Sequence, residues 1–168
     1  MNLNFLAPII SFIGLIIGLW IASMTQDEIL AGKKIFEWLR RISLSIIILI
    51  SLGLAILNFN LILIVLTIIV ALLLSRKLKN MKLSYLFLGF ISVSSLMTTK
   101  IMFFSLSVLI FVYGILYGAL LKENKLEAIL SNTIMFFLPF LVLLMPFISF
   151  GEVLSLSSIL LLFELRKI

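Results

Sequence analysis

Apolar residues in this chain come in long runs, and the polar positions between them are few and clustered. The first run, Leu3–Met24, is long enough for one bilayer crossing, since about 20 helical residues span the hydrocarbon layer. Charges follow at Asp27, Glu28, Lys33, Lys34, Glu37, Arg40 and Arg41. The next stretch, Ile42–Ser75, carries no charge; as one helix it would reach about 51 Å at about 1.5 Å per residue, too long for a single crossing. Asn58-Phe59-Asn60 lies near its middle, and Asn favours turns. The pattern predicts two short helices joined by a hairpin. The first of them extends back to Phe36, with Arg40 and Arg41 snorkelling towards water. A single, strongly tilted helix is the competing reading.

Arg76-Lys77-Leu78-Lys79-Asn80-Met81-Lys82 forms the next basic loop. Leu83–Met97 and Ile101–Leu121 then read as two further spans around Thr98-Thr99-Lys100, closed by Lys122-Glu123-Asn124-Lys125. The last apolar stretch, Ile129–Phe163, has room for two. Pro146, Gly151 and Glu152 mark its break, because Pro and Gly punctuate helices and a lone Glu prefers an interface. The prediction is therefore all-α: a polytopic transmembrane helix bundle in one domain, 1–168. It has about seven short spans, near 3–24, 36–57, 61–76, 83–98, 101–121, 129–146 and 152–165.

Composition points the same way. The chain is 64% apolar and 12% charged, whereas a soluble domain has about 25% charged residues. A soluble fold of this size must cover a large surface with polar groups, and this chain does not carry enough of them.

The net charge of +6 raises nucleic acid as a partner. The thirteen Lys and Arg form no single patch, however, and the reading is no nucleic acid. With seven spans, every Lys and Arg except Lys100 falls on one side, the asymmetry of the positive-inside rule. That places the basic loops in the cytoplasm, the N-terminus outside and the C-terminus inside a cell membrane. Trp20 and Trp38 then fall near the cytoplasmic interface, where amphipathic rings anchor helices. The N-terminal run has neither a basic start nor a small-residue cleavage site, so the first span is expected to stay.

Seven spans divide into three, a linker and three, and parallel repeats of that kind share one orientation. An offset of 100 residues aligns Gly14 and Gly18 with Gly114 and Gly118, and Phe36 with Phe136. It also aligns Asp27-Glu28-Ile29-Leu30 with Glu127-Ala128-Ile129-Leu130. A repeat of 1–76 and 101–168 is the resulting expectation, although Arg40 and Arg41 align with Phe140 and Leu141, where the register breaks. The layout is similar to that of the SWEET sugar facilitators in topology alone. Their proline-bearing motifs are not reproduced by Pro8, Pro139 and Pro146, and no family is assigned.

Candidate chemistry is sparse. Thr25-Gln26-Asp27-Glu28 has capping-box spacing. Ile29, Gly32, Phe36 and Leu39 share one face of an interfacial amphipathic helix, and Glu37 precedes Arg41 by the spacing of a helical ion pair. Asp27, Glu28, Gly32, Lys33 and Lys34 make a candidate cytoplasmic binding surface. The plainer reading is a capped helix whose cations meet anionic lipid headgroups. Gly14 and Gly18, and likewise Gly114 and Gly118, have the spacing that lets helix backbones approach closely, within the bundle in preference to a dimer.

Ser92, Ser94, Ser95, Ser105 and Ser107 form the densest hydroxyl group near mid-span. They are a candidate polar path; the plainer alternative is bonding to their own helix carbonyls or to neighbouring helices. Asn132 and Thr133 lie near the cytoplasmic end of the sixth span. No charged residue falls mid-span, and the chain has neither Cys nor His. No cofactor, metal or enzymatic activity is expected from such a set. The expected function is a non-enzymatic accessory or assembly component of the membrane, whose partners are lipid and other membrane proteins. The alternative is a small-solute facilitator built from two three-helix halves.

Overall fold

The computed structural model describes residues 6–57, 83–96, 100–121, 125–144 and 150–165. Among them the chain is helical, with no strand. The helices are α1 (Leu6–Met24), α2 (Gln26–Ala31), α3 (Lys33–Leu57), α4 (Ser84–Ser95), α5 (Lys100–Leu120), α6 (Lys125–Phe137) and α7 (Phe150–Leu165). A 3₁₀ segment, Leu138–Leu144, continues α6. Six of the seven apolar stretches read from the sequence thus coincide with described helices. The stretch 61–76, the Asn58-Phe59-Asn60 hairpin, the basic loop 76–82 and Pro146 lie outside the described residues. Among the described residues two helices are long and apolar enough to cross a membrane, Ala7–Met24 and Lys100–Leu120; Ser84–Ser95 and Leu126–Leu141 are shorter apolar helices.

Local chemistry sets the boundaries. Pro8 sits in the first turn of α1, where the missing N–H costs no intrahelical bond. The end of α1 departs from the capping-box expectation. Thr25 makes no side-chain cap bond to α2; its Oγ1 instead donates back to Ile21 O at 3.0 Å. In this rotamer the hydroxyl is turned towards the last turn of α1, and its oxygen accepts from no backbone N–H of α2. α2 and α3 form a nearly continuous helix interrupted at Gly32 (φ −90°, ψ 6°). The Gly32 N–H still reaches Glu28 O at 2.9 Å, and Gly32 O accepts from Ile35 and Phe36. Glu37 pairs with Lys33 Nζ, at 3.5 Å and one turn before it on α3.

The sixth apolar stretch loses α geometry at Pro139, within the 3₁₀ segment, because proline cannot donate to the carbonyl four residues back. The last helix opens at Phe150, so Gly151 and Glu152 belong to its first turn; Pro146, read with them as marking the break, lies outside the described residues.

The most extensive contact in the bundle joins α1 to α5. It is a meeting of backbones. A Cβ built on Gly14 would collide with Phe111 O, and one on Gly18 with Ile115 O. From the other side, a Cβ on Gly114 would lie 2.8 Å from Leu15 N, and one on Gly118 would lie 2.5 Å from Leu15 O. The two glycine pairs therefore face each other within one chain. Ser11 Oγ lies 2.8 Å from Ala7 O and 3.0 Å from Ser107 O, so its proton can serve its own helix or α5. Residues 11, 14 and 18 meet 107, 111 and 115 in ascending order, and α1 and α5 consequently run parallel.

The remaining helices build on this pair. α3 packs on α5 and α7 through Ser43, Leu44, Ile47, Ile48, Ser51 and Leu54, all buried and spaced along one helical face. Ser158 Oγ lies 2.7 Å from Ser51 Oγ, while Ser45 shares a surface groove with Leu165; α3 and α7 are therefore antiparallel. α4 lies at the centre, against α5, α6, the 3₁₀ segment and α7. Ten of its twelve residues are buried, as befits a helix that is apolar nearly all round. Gly89 lets α6 approach it: a Cβ there would meet Phe136 O and come within 3.1 Å of Pro139 Cγ.

Substitution of Gly18 by Leu should force α1 and α5 apart, because the atoms it meets are backbone and cannot swing away. Thermal unfolding in mild detergent should show a loss of at least about 1–3 kcal/mol. Gly53 faces open space, so Gly53→Ala should be neutral or stabilise by up to about 1 kcal/mol through helix propensity. Equal melting of the two variants would contradict the glycine contact.

Candidate functional site

The polar groups with the most unusual surroundings lie at the end of the bundle where α1 and α5 finish. Tyr85, Tyr113 and Tyr117 are the chain's three tyrosines, and the fold brings all of them together. Tyr85 opens α4; its ring centroid is 5.2 Å from that of Tyr117 and 6.3 Å from that of Tyr113. Tyr113 and Tyr117, one turn apart on α5, stack at 5.9 Å. Phe12 of α1 and Phe136 of α6 close the inner side against Tyr85, at 6.1 and 6.3 Å. Arg40 of α3 caps the cluster, with its guanidinium carbon 5.8 Å from the Tyr117 ring centroid, within cation–π range.

Several of these polar atoms lack a hydrogen bond. Tyr85 is 2% exposed, and its hydroxyl has no partner among the described residues. The same is true of Arg40 Nε, although Arg40 as a whole is half-buried. Among the described residues Arg40 makes no ion pair; the carboxylate three positions before it, Glu37, is held by Lys33. Among the described residues the site thus holds a cationic N–H and a phenol hydroxyl without acceptors.

The residues singled out from the sequence are placed differently. Asp27, Glu28, Lys33 and Lys34 are exposed around the α2–α3 junction, with Gly32 half-buried between them. They form a charged surface. Ser92, Ser94 and Ser95 are buried in α4 and Ser107 in α5, but Ser105 is exposed and bonds to Ile101 O of its own helix. Ser92 and Ser94 project about 200° apart on α4, and the hydroxyls of both lack hydrogen-bond partners among the described residues. Ser95 Oγ donates to Ser92 O at 2.7 Å. The fold therefore does not bring these five serines to one line. Asn132 and Thr133 bond to Ala128 O and Ile129 O of their own helix.

The tyrosine–arginine cluster was not singled out from the sequence. Tyr113 and Tyr117 at helical spacing were visible, and Arg40 opens an uncharged run. The arrival of Tyr85 depends on tertiary packing and leaves no local signal. Comparison with protein-family models, curated proteins and solved structures finds no match for this chain.

A buried hydroxyl without a partner costs its desolvation. Tyr85→Phe should therefore keep the fold and raise ligand-free stability by about 1 kcal/mol, measured by denaturation in a maltoside detergent. Loss of stability would mean that the hydroxyl has a structural partner.

Proposed function

We propose that this chain is a multi-pass integral protein of the cell membrane that serves as a non-enzymatic accessory or assembly component, packing against lipid and other membrane proteins. The observation that carries this reading is the surface of the bundle. On α1, Ile9, Ile13, Ile16, Trp20 and Met24 are exposed on the side away from the glycines, and Trp20 is 60% exposed. α3 exposes Ile35, Trp38, Ile46 and Leu49; α5 exposes Ile101, Phe104, Val108 and Val112; α6 exposes Leu126, Leu130 and Ile134. Soluble monomers rarely expose contiguous apolar patches of more than a few hundred Å², and here large apolar side chains are exposed on helix after helix. Less than half of each long apolar window, 44%, is buried inside the protein, unlike the core helix of a soluble domain.

Chain direction supports the seven-crossing reading. α3 begins at the tyrosine end, since Arg40 lies over Tyr117, and Leu57 is about 25 Å further along its axis. α4 also begins at the tyrosine end, at Tyr85. The chain thus leaves α3 at one end and resumes α4 at the other, the gap that a crossing over 61–76 would close. Lys33, Lys34, Arg40 and Arg41 belong to one end, whereas Lys100 opens α5 at the opposite end. This is the polarity the positive-inside rule requires.

One observation favours the second reading, a small-solute facilitator of two related halves. A Cβ built on Gly114 would lie 3.1 Å from Gly14 C, and these positions are equivalent under the 100-residue offset, on parallel helices. Against it stands α4, which fills the centre with packed side chains. Solute flux into proteoliposomes separates the two readings.

The chain lacks cysteine, so single-cysteine variants label cleanly. The protein should stay in the membrane pellet through alkaline carbonate. Lys100→Cys should react with an impermeant maleimide in intact cells, and Lys34→Cys only after permeabilisation. Extraction by carbonate, or labelling of both positions from one side, would contradict the reading.

A further inference from the structure

The guanidinium of Arg40 and the ring of Tyr85 both lie against one ring, Tyr117, and neither Arg40 Nε nor Tyr85 Oη has a hydrogen-bond partner among the described residues. A planar guanidinium presents its N–H groups as a fork matched to the oxygens of a phosphate, and such charge-assisted bonds are the strong ones. A phenol supplies one more donor. Among the described residues no carboxylate pairs with the guanidinium. Arg41, Lys33 and Lys34, exposed on the same helix, raise the local concentration of anions.

We propose that Arg40, Tyr85 and Tyr117 form an oxyanion-binding site at the basic end of the bundle, and that its ligand is a phosphate group. Arg40 holds two phosphate oxygens through its N–H fork, and Tyr85 donates its hydroxyl to the inward one. Tyr117 keeps the guanidinium flat and over the site. Two sources offer this chemistry: the phosphodiester of an anionic lipid, or a soluble phosphate. The site lies just before the uncharged run Ile42–Leu57, which under the proposed membrane reading is the depth of the lipid phosphates. The lipid source rests on that reading; a soluble phosphate does not.

The test uses the full chain in a maltoside detergent, which contains no phosphate. Native mass spectrometry would follow titration with phosphatidylglycerol, with diacylglycerol of the same acyl chains, and with inorganic phosphate. Saturable binding of phosphatidylglycerol or of phosphate is expected, but not of diacylglycerol. Arg40→Gln should weaken it at least about tenfold, the loss of a charge-assisted pair, whereas Arg41→Gln should change it less than about threefold. Tyr85→Phe, which keeps the ring and its packing, should weaken it several-fold without lowering stability, so the test survives if Arg40→Gln fails to fold.

Binding of phosphatidylglycerol alone identifies the lipid headgroup, and binding of inorganic phosphate alone identifies a soluble ligand. Equal losses in the Arg40 and Arg41 variants, unchanged binding in Tyr85→Phe, or equal binding of diacylglycerol would overturn the proposal. Such a failure leaves the membrane reading intact, since that reading is tested by carbonate extraction and labelling.

Discussion

The close approach of two helix backbones, α1 and α5, is the constraint from which the rest of the bundle follows. Four glycines make it possible, because any side chain at Gly14, Gly18, Gly114 or Gly118 would overlap backbone atoms of the facing helix. Backbones this near gain dispersion contacts along their length and weak Cα–H···O bonds. The contact also fixes direction. Since α1 and α5 are parallel, the chain between them must return to its starting end before α5 begins. α3 and α4 take their places along that route, with α4 enclosed by the helices that pack around it.

The distribution of polarity complements this packing. Ser11, Ser51, Ser92, Ser94, Ser107, Ser157 and Ser158 are all buried, while both tryptophans and many isoleucines and leucines are exposed. Most of the described hydroxyls are absorbed by carbonyls of their own helix, and Ser11 and Ser158 also reach a neighbouring helix. Small side chains at helix contacts let backbones and hydroxyls meet without voids. The tyrosine–arginine cluster departs from this economy of bonding, since it leaves a phenol and a guanidinium nitrogen without partners at one end of the bundle.

Helix existence was legible in the sequence because uninterrupted apolar runs of fixed length admit few alternatives. The glycine pairs were legible too, as small residues four apart on two apolar helices, although their facing one another is a tertiary fact. The limits of the reading were side-chain choices. The Thr25 hydroxyl could turn towards either helix; it turns back to Ile21 O of α1 and makes no cap bond to α2. Pro139 was read only against a remote family pattern, yet locally it ends α geometry in the sixth stretch. The placement of the serines was not legible either: helical geometry sends Ser92 and Ser94 to opposite sides, and Ser105 is exposed. The tyrosine cluster was illegible because residues 85 and 117 have no periodic relation.

The most direct test of the parallel glycine contact is disulfide formation in this cysteine-free chain. Paired cysteines at Ser11 and Ser107 should cross-link within one chain, since the Ser11 hydroxyl lies 3.0 Å from Ser107 O. Paired cysteines at Ser11 and Leu121 should not, because Leu121 lies about 21 Å further along α5, beyond disulfide reach. Linkage of the second pair would mean that the helices run antiparallel. Linkage of the first pair only between chains would move the glycine contact into a dimer and contradict the account.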